Sequence, residues 1–188
     1  MVTSALAFGI LIFIIVAPIF TFYIYRSFIE KRGSVDLRVT DRAPEGIANL
    51  FVTTDNIEVK SNADPTESGW LKLVSTETTF DLVSLVGVEE SLGVTELSAG
   101  KYGQLRMGIV KVVAVKTDGT KVDVTVPSSV LRLVKGFIVP ESGTVILTID
   151  FDVEKSLIIT GKGGITLKPV VQLLSRPANE EFDSSKTF

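Results

Sequence analysis

The sequence contains no histidine and no cysteine. Protein-ligated zinc, copper, haem and iron–sulfur centres therefore lack their imidazole and thiolate ligands. Cysteine nucleophiles, Ser–His–Asp triads and histidine acid–base chemistry are excluded with them. Disulfides are excluded too, which fits a reducing cytoplasm and equally an exterior protein that does without them. A basic block is also missing. Nineteen Lys and Arg stand against 22 Asp and Glu, for a net charge of −3. No run of cations is placed to neutralise a row of phosphates, so nucleic acid is not an expected partner. Hard cations bound through oxygen stay open, and no other cofactor is expected.

One long apolar run is present. From Val2 to Tyr25, twenty-four residues carry no charge. As a helix this run extends about 36 Å, enough to cross a hydrocarbon core of about 30 Å with some tilt. Val2, Phe8, Phe13, Pro18, Phe22 and Tyr25 mark its course, and a kink at Pro18 is tolerable in a membrane. Tyr23 and Tyr25 sit where amphipathic rings favour the interface, followed by the cations Arg26, Lys31 and Arg32. A cleavable signal peptide fits less well. No Lys or Arg precedes the run, the run is long, and Tyr23-Ile24-Tyr25 offers no small-residue cleavage site. The expected organisation is an anchor and juxtamembrane segment over 1–32, a β domain over 33–175 and a polar tail over 176–188.

After Gly33 the pattern becomes that of strands. Val35, Leu37 and Val39 alternate with Asp36, Arg38 and Thr40, the period of a half-buried strand. Val122, Val124 and Val126 alternate in the same way, as do Val145, Leu147, Ile149 and Phe151. Asp118-Gly119 joins two Val-rich runs and reads as a hairpin turn. The adjacent Ile109 and Val110 suggest a bulge or a strand buried on both faces. Further strands are expected at 50–54, 57–60, 136–139, 157–160 and 165–174, with room for one short helix at 80–86. Many short strands without helical repeats argue for an all-β fold, an antiparallel sandwich or barrel. The tail RPANEEFDSSKTF is polar and aperiodic, and reads as mobile or ordered by a partner.

Seven stretches carry a family resemblance: GSVDLRVTDRAP at 33–44, GW at 69–70, FDLVSL at 80–85, LSAGKYGQLRM at 97–107, VPSSVLRL at 126–133, LTIDFDVEKS at 147–156 and GKGGITLKPVV at 161–171. In this order they resemble a prokaryotic family catalogued as domain of unknown function 4382. The departures are small, Arg42 within Asp-Arg-Ala-Pro and Ile165 where an aromatic is common; the long anchor is a larger one. The resemblance implies an exported β-sandwich, Ig-like or transthyretin-like, on archaeal or bacterial surfaces. It implies no enzymatic activity, and some similar proteins are subunits of extracellular filaments. Orientation is contested between two signals. The cations after the apolar run favour a cytoplasmic domain, whereas the resemblance favours the exterior. The exterior is the expectation, because the first helix does not always dominate and long domains translocate despite charge.

Candidate sites are few. Asp150 and Asp152 flank Phe151 and project to one face of a strand, and with Asp41 they form a candidate Ca²⁺ set. The plainer reading is a pair of solvated carboxylates on a strand's outer face. They do not resemble a glycosidase pair, which must face each other across a cleft. Gly161-Lys162-Gly163-Gly164 lies between strands and reads as a turn, not a phosphate loop. Trp70, the only tryptophan, reads as the edge of a core or as a carbohydrate platform. No catalytic residue is expected. The expected function is that of a single-span accessory or structural subunit of a membrane complex, its partners the bilayer and neighbouring subunits. Surface adhesion or ligand binding, and a filament subunit, are the alternatives. Alkaline carbonate washing of membranes is expected to leave the full chain in the pellet and to release a chain lacking residues 2–25; release of the full chain would remove the anchor.

Overall fold

The strand that opens the domain, β1 (Arg32–Arg42), buries Val35, Leu37 and Val39 and turns Asp36, Arg38 and Thr40 to the other face, as its alternation requires. Thirteen further strands follow in this computed structural model, which describes residues 31–42, 46–64, 66–161 and 163–187. They are β2 (Ile47–Thr54), β3 (Ile57–Ser61), β4 (Trp70–Val74), β5 (Thr78–Asp81), β6 (Glu90–Ser98) and β7 (Gly100–Gly108). After these come β8 (Lys111–Lys116), β9 (Lys121–Thr125), β10 (Val130–Val139) and β11 (Thr144–Asp152). The last are β12 (Leu157–Ile159), β13 (Ile165–Leu167) and β14 (Val171–Pro177). The fold is all-β and sandwich-like. The expected anchor residues Val2, Phe8, Phe13, Pro18, Phe22, Tyr25 and Arg26 lie outside the described residues. Among the described residues no helix is long and apolar enough to cross a membrane.

Three sheets share one core. The first has the order β14-β11-β1-β6, the second β10-β7-β3-β4 and the third β12-β13-β9-β8-β2-β5. Leu37 and Leu147 of the first sheet, Leu105 and Met107 of the second, and Leu50 and Ala114 of the third are fully buried in the same cluster. Antiparallel pairing throughout, as expected, is corrected at two places: β1 runs parallel to β11, and β13 parallel to β9. A parallel pair needs a long crossover, and here most of the chain separates β1 from β11. The pair holds the start of the domain against its late strands over nine matched residues, from Ser34 opposite Thr144 to Arg42 opposite Asp152.

The turn signals fall where the sequence puts them. Gly119, at φ +84°, closes the β8–β9 hairpin. Ile109 and Val110 do not bulge within one strand. They break it, because Ile109 N–H donates to Ser129 and Val110 N–H to Thr53, two different neighbours. The short helix expected at 80–86 is a 3-10 turn over Leu82–Leu85, capped by Asp81, whose carboxylate accepts from Val83 N–H. A short helical turn, α1 (Val153–Ser156), follows β11. Gly33 is fixed by a close approach: a Cβ there would lie 2.0 Å from the Pro140 carbonyl oxygen. The 140–143 loop packs on the start of β1 through Ser142 N–H to Arg32 O and Ser34 N–H to Gly143 O, both 2.8 Å.

The expected tail is also corrected. Residues 178–187 fold back on β14 of the same chain: Arg176 Nε donates to Glu180 O at 3.1 Å and its guanidinium lies 5.6 Å from the Phe182 ring centroid. Periodicity is absent because the segment lies over a sheet face without joining the sheet. Leu147, at the centre of the parallel pair, is the sharpest test of this core. Leu147→Ala is expected to destabilise the full chain by about 3 kcal/mol, read by denaturant titration with Trp70 fluorescence as the reporter.

Candidate functional site

The outer face of the first sheet is where charge collects. β1 contributes Asp36, Arg38 and Thr40, β11 contributes Thr148 and Asp150, and β14 contributes Gln172 and Arg176, all turned away from the core by alternation. A row of polar side chains on a sheet is ordinarily solvated. Here Thr40, Thr148 and Asp150 are fully buried, because residues 86–90 and the C-terminal segment lie over them. The Thr40 hydroxyl donates to Val88 O at 2.6 Å, fastening the first of these covers.

Glu89 enters this face from above and is its hub. Its side chain is 2% exposed and reaches three neighbouring strands. Arg176 donates through both terminal nitrogens, at 2.8 and 2.5 Å. Arg38 donates from the other side at 3.2 Å, and the Thr148 hydroxyl donates between them. Arg38 also grips Asp36 through Nε and Nη2 at 2.9 and 2.7 Å, and Ser91 donates to the same carboxylate. Burial pushes the Glu89 carboxyl upward, but the bonds from Arg176, Thr148 and Arg38 outweigh it and hold the group below its ordinary value. The bond to Asp36 likewise raises Arg38. Such a cluster is a fastening, since every charge in it already faces an opposite charge.

The candidate calcium set takes a different form from the one expected. Asp150 and Asp152 are not solvated: both are fully buried. Gln172 donates to Asp150 at 2.7 Å. Asp152 caps α1 by accepting from Lys155 N–H and pairs with the Lys155 ammonium at 2.6 Å. Asp41 belongs to the core-facing side of β1, the opposite face from Asp150, and accepts from Val153 N–H at 3.1 Å. Alternation thus separates Asp41 from the other two. Among the described residues no three acidic side chains come together in a way that could hold a metal ion.

Trp70 lies on the outer face of the second sheet, opposite Lys60. The Arg106 guanidinium sits 4.2 Å from its ring centroid and is anchored by Glu58 at 2.5 Å. Lys60 Nζ, buried and without a hydrogen-bond partner among the described residues, lies 5.6 Å from the same ring. A sugar platform needs an open ring face, and one cation already stacks here.

Beside the charged cluster runs an open seam. β14 ends the first sheet and β10 ends the second, and no backbone pairing joins them among the described residues. Between them lies an apolar groove of about 440 Å³ lined by Phe137, Ile138, Pro140, Val145 and Pro177. Val134 and Ile138 of β10 are 81% and 61% exposed. The sequence places Ile138 in an expected strand at 136–139 but gives neither residue a role at an edge, since alternation carries no sign of which sheet edge a strand will occupy.

The chain belongs to the family described as domain of unknown function 4382, whose model matches residues 32–169. No curated protein and no solved structure matches it. The matched range takes in Glu89 and β10 but stops short of β14 and the C-terminal cover, so Arg176 lies beyond it.

Glu89→Gln removes the charge that two arginines share. It is expected to lower stability by about 2–3 kcal/mol at neutral pH. Because the folded carboxyl titrates below its unfolded value, its contribution is fully present above about pH 4.5 and is lost as pH falls through the folded value. Thermal melts of wild type and variant are therefore expected to differ most near pH 7 and to converge in acid.

Proposed function

We propose that this chain is a non-catalytic, single-span membrane protein whose β domain stands on the extracytoplasmic side. There it acts as a structural or accessory subunit of a membrane complex. The observation that carries the reading is the seam along β10, which no strand covers or pairs among the described residues and where strongly exposed apolar side chains border an apolar groove. Soluble folds blunt such edges or cover them with a partner. The apolar run from Val2 to Tyr25 supplies the anchor in this reading, and the family resemblance supplies the exterior side. We read the first two sheets as the faces of an Ig-like or transthyretin-like sandwich, with the third sheet continuing it. Neither a cofactor nor nucleic acid enters the proposal.

The adhesion alternative looked to Trp70 as a ligand platform, and the Arg106 stack argues against it. Purification of the full chain from native membranes in mild detergent, followed by intact-mass analysis of the complex, tests the proposal. Other membrane subunits in fixed stoichiometry are expected. A chain that purifies alone, with no other subunit, would overturn the accessory role.

A further inference from the structure

The outer face of the second sheet is basic, in a chain whose net charge is −3. Two rows of side chains cross its four strands. The first row holds Arg132 on β10, Arg106 on β7, Glu58 on β3 and Lys72 on β4. The second holds Val134, Gln104, Lys60 and Trp70 in the same strand order. Between the rows Leu133, Leu105 and Val59 point into the core, so both rows share the outer side. The pairing is unbroken from Arg132 to Val134 and from Glu58 to Lys60, and the register shifts of these strands fall outside those spans.

The cations of this face outnumber its acids. Glu58 is the carboxylate within the two rows, and Arg106 already takes it at 2.5 Å. Arg132 and Lys72 are exposed and form no ion pair among the described residues. Arg132 stands directly opposite Arg106, and like charges in that position cost stability. Lys60 is 9% exposed, and its Nζ has no hydrogen-bond partner among the described residues. Asp64, the acid that senses Lys60, is engaged by Thr66 and Ser68. A buried charge is weakly screened, so Lys60 lends its field to the face from beside the Trp70 ring. At the rim, Glu67 approaches Arg106 at 3.8 Å with its side chain 91% exposed, a loose contact that another carboxylate can displace.

We infer that this face docks an acidic polypeptide segment of a neighbouring subunit, laid along the strands. The inference rests on the accessory reading above and carries that interface from the β10 edge across the face to β4. The two rows lie about 7 Å apart, the spacing of alternate residues in an extended chain. A carboxylate thus meets the first row while the residue two positions away meets Val134 or Trp70 in the second. Arg106 is held between Glu58 and the Trp70 ring, and a carboxylate set between it and Arg132 relieves their repulsion. Val134 decides between occupants. It is 81% exposed, and a sulfated sugar or a phosphate chain leaves it bare. A polypeptide supplies the charge and the apolar side chain together.

Trp70, the only tryptophan, is a built-in reporter for the test. The full-length chain in detergent is titrated with a peptide repeating Glu-Ser-Val-Ser while Trp70 emission is followed. Saturable binding that weakens with salt is expected, and none for the counterpart with lysine in place of glutamate. No binding of the glutamate peptide, or equal binding of both, overturns the site. Arg132→Gln and Lys72→Gln are each expected to weaken binding about threefold, and Glu67→Gln to tighten it about twofold by removing the rival carboxylate. Unchanged affinity in these variants, with native circular dichroism, also overturns it. Val134→Ser is expected to weaken the peptide; an unchanged affinity overturns the polypeptide and leaves a polymer read by charge alone, such as heparin used as competitor. Native purification separates this inference from the accessory reading, because Lys72 lies on β4, at the other end of the sheet from β10. Lys72→Glu is expected to release the partner subunits at lower salt than wild type. Partners that stay through the same salt wash in both chains defeat this inference alone. A chain that purifies alone yet binds the glutamate peptide defeats the accessory reading and leaves the acid-binding face standing.

Discussion

The parallel union of β1 with β11 is the constraint on which the rest of the domain depends. It brings the first strand, Arg32–Arg42, beside a strand that starts more than a hundred residues later. Such pairing gains little until the long loop between has been closed, so the intervening strands must largely be in place when it forms. Once made, it assigns every neighbour. β6 is left on one flank of β1 and β14 on the far flank of β11, which makes those two strands the free edges of the first sheet. It also brings the 140–143 loop onto Gly33, where only a glycine admits the Pro140 carbonyl.

The same union creates the problem that Glu89 solves. Two strands side by side with Arg38, Thr40, Thr148 and Asp150 on their outer face present a polar surface. Residues 86–90 and 178–187 cover that surface, and a cover lying over charged side chains must satisfy them or lose several kcal/mol per stranded group. One carboxylate does most of this, accepting from Arg38 on β1, Thr148 on β11 and Arg176 on β14. A hydrophobic cover of similar volume could match it in stability. What the charged version adds is position: the bidentate geometry of Arg176 fixes the cover at one place on the sheet.

Local pattern made much of this legible. Alternation over 35–40 identifies β1 and its faces, Asp118-Gly119 identifies the β8–β9 turn, and the glycines at 161–164 identify the turn between β12 and β13. What alternation does not reveal is what lies over a face. Asp150 and Asp152 read as solvated because a strand's polar side usually is, and here other parts of the chain bury them. The partners of Glu89 are 51 and 87 residues away in sequence, beyond any local signal. β6 escaped notice for another reason. ESLGVTELS alternates poorly because, as an edge strand, it buries only Leu97 fully. The residues that sequence reading passed over are thus the ones facing covers or edges.

That coincidence bears on function. A side chain with no counterpart in its own chain lies either on indifferent surface or on surface completed by another molecule. Val94 and Val134 are separated within the domain, on strands of different sheets, yet they share a setting: an exposed valine on an end strand, with unpaired charges of one sign close by. The cluster around Glu89 then acquires a second role. It stiffens the first sheet immediately beside β6, through Ser91 and Asp36, so that the edge is presented as a set strand.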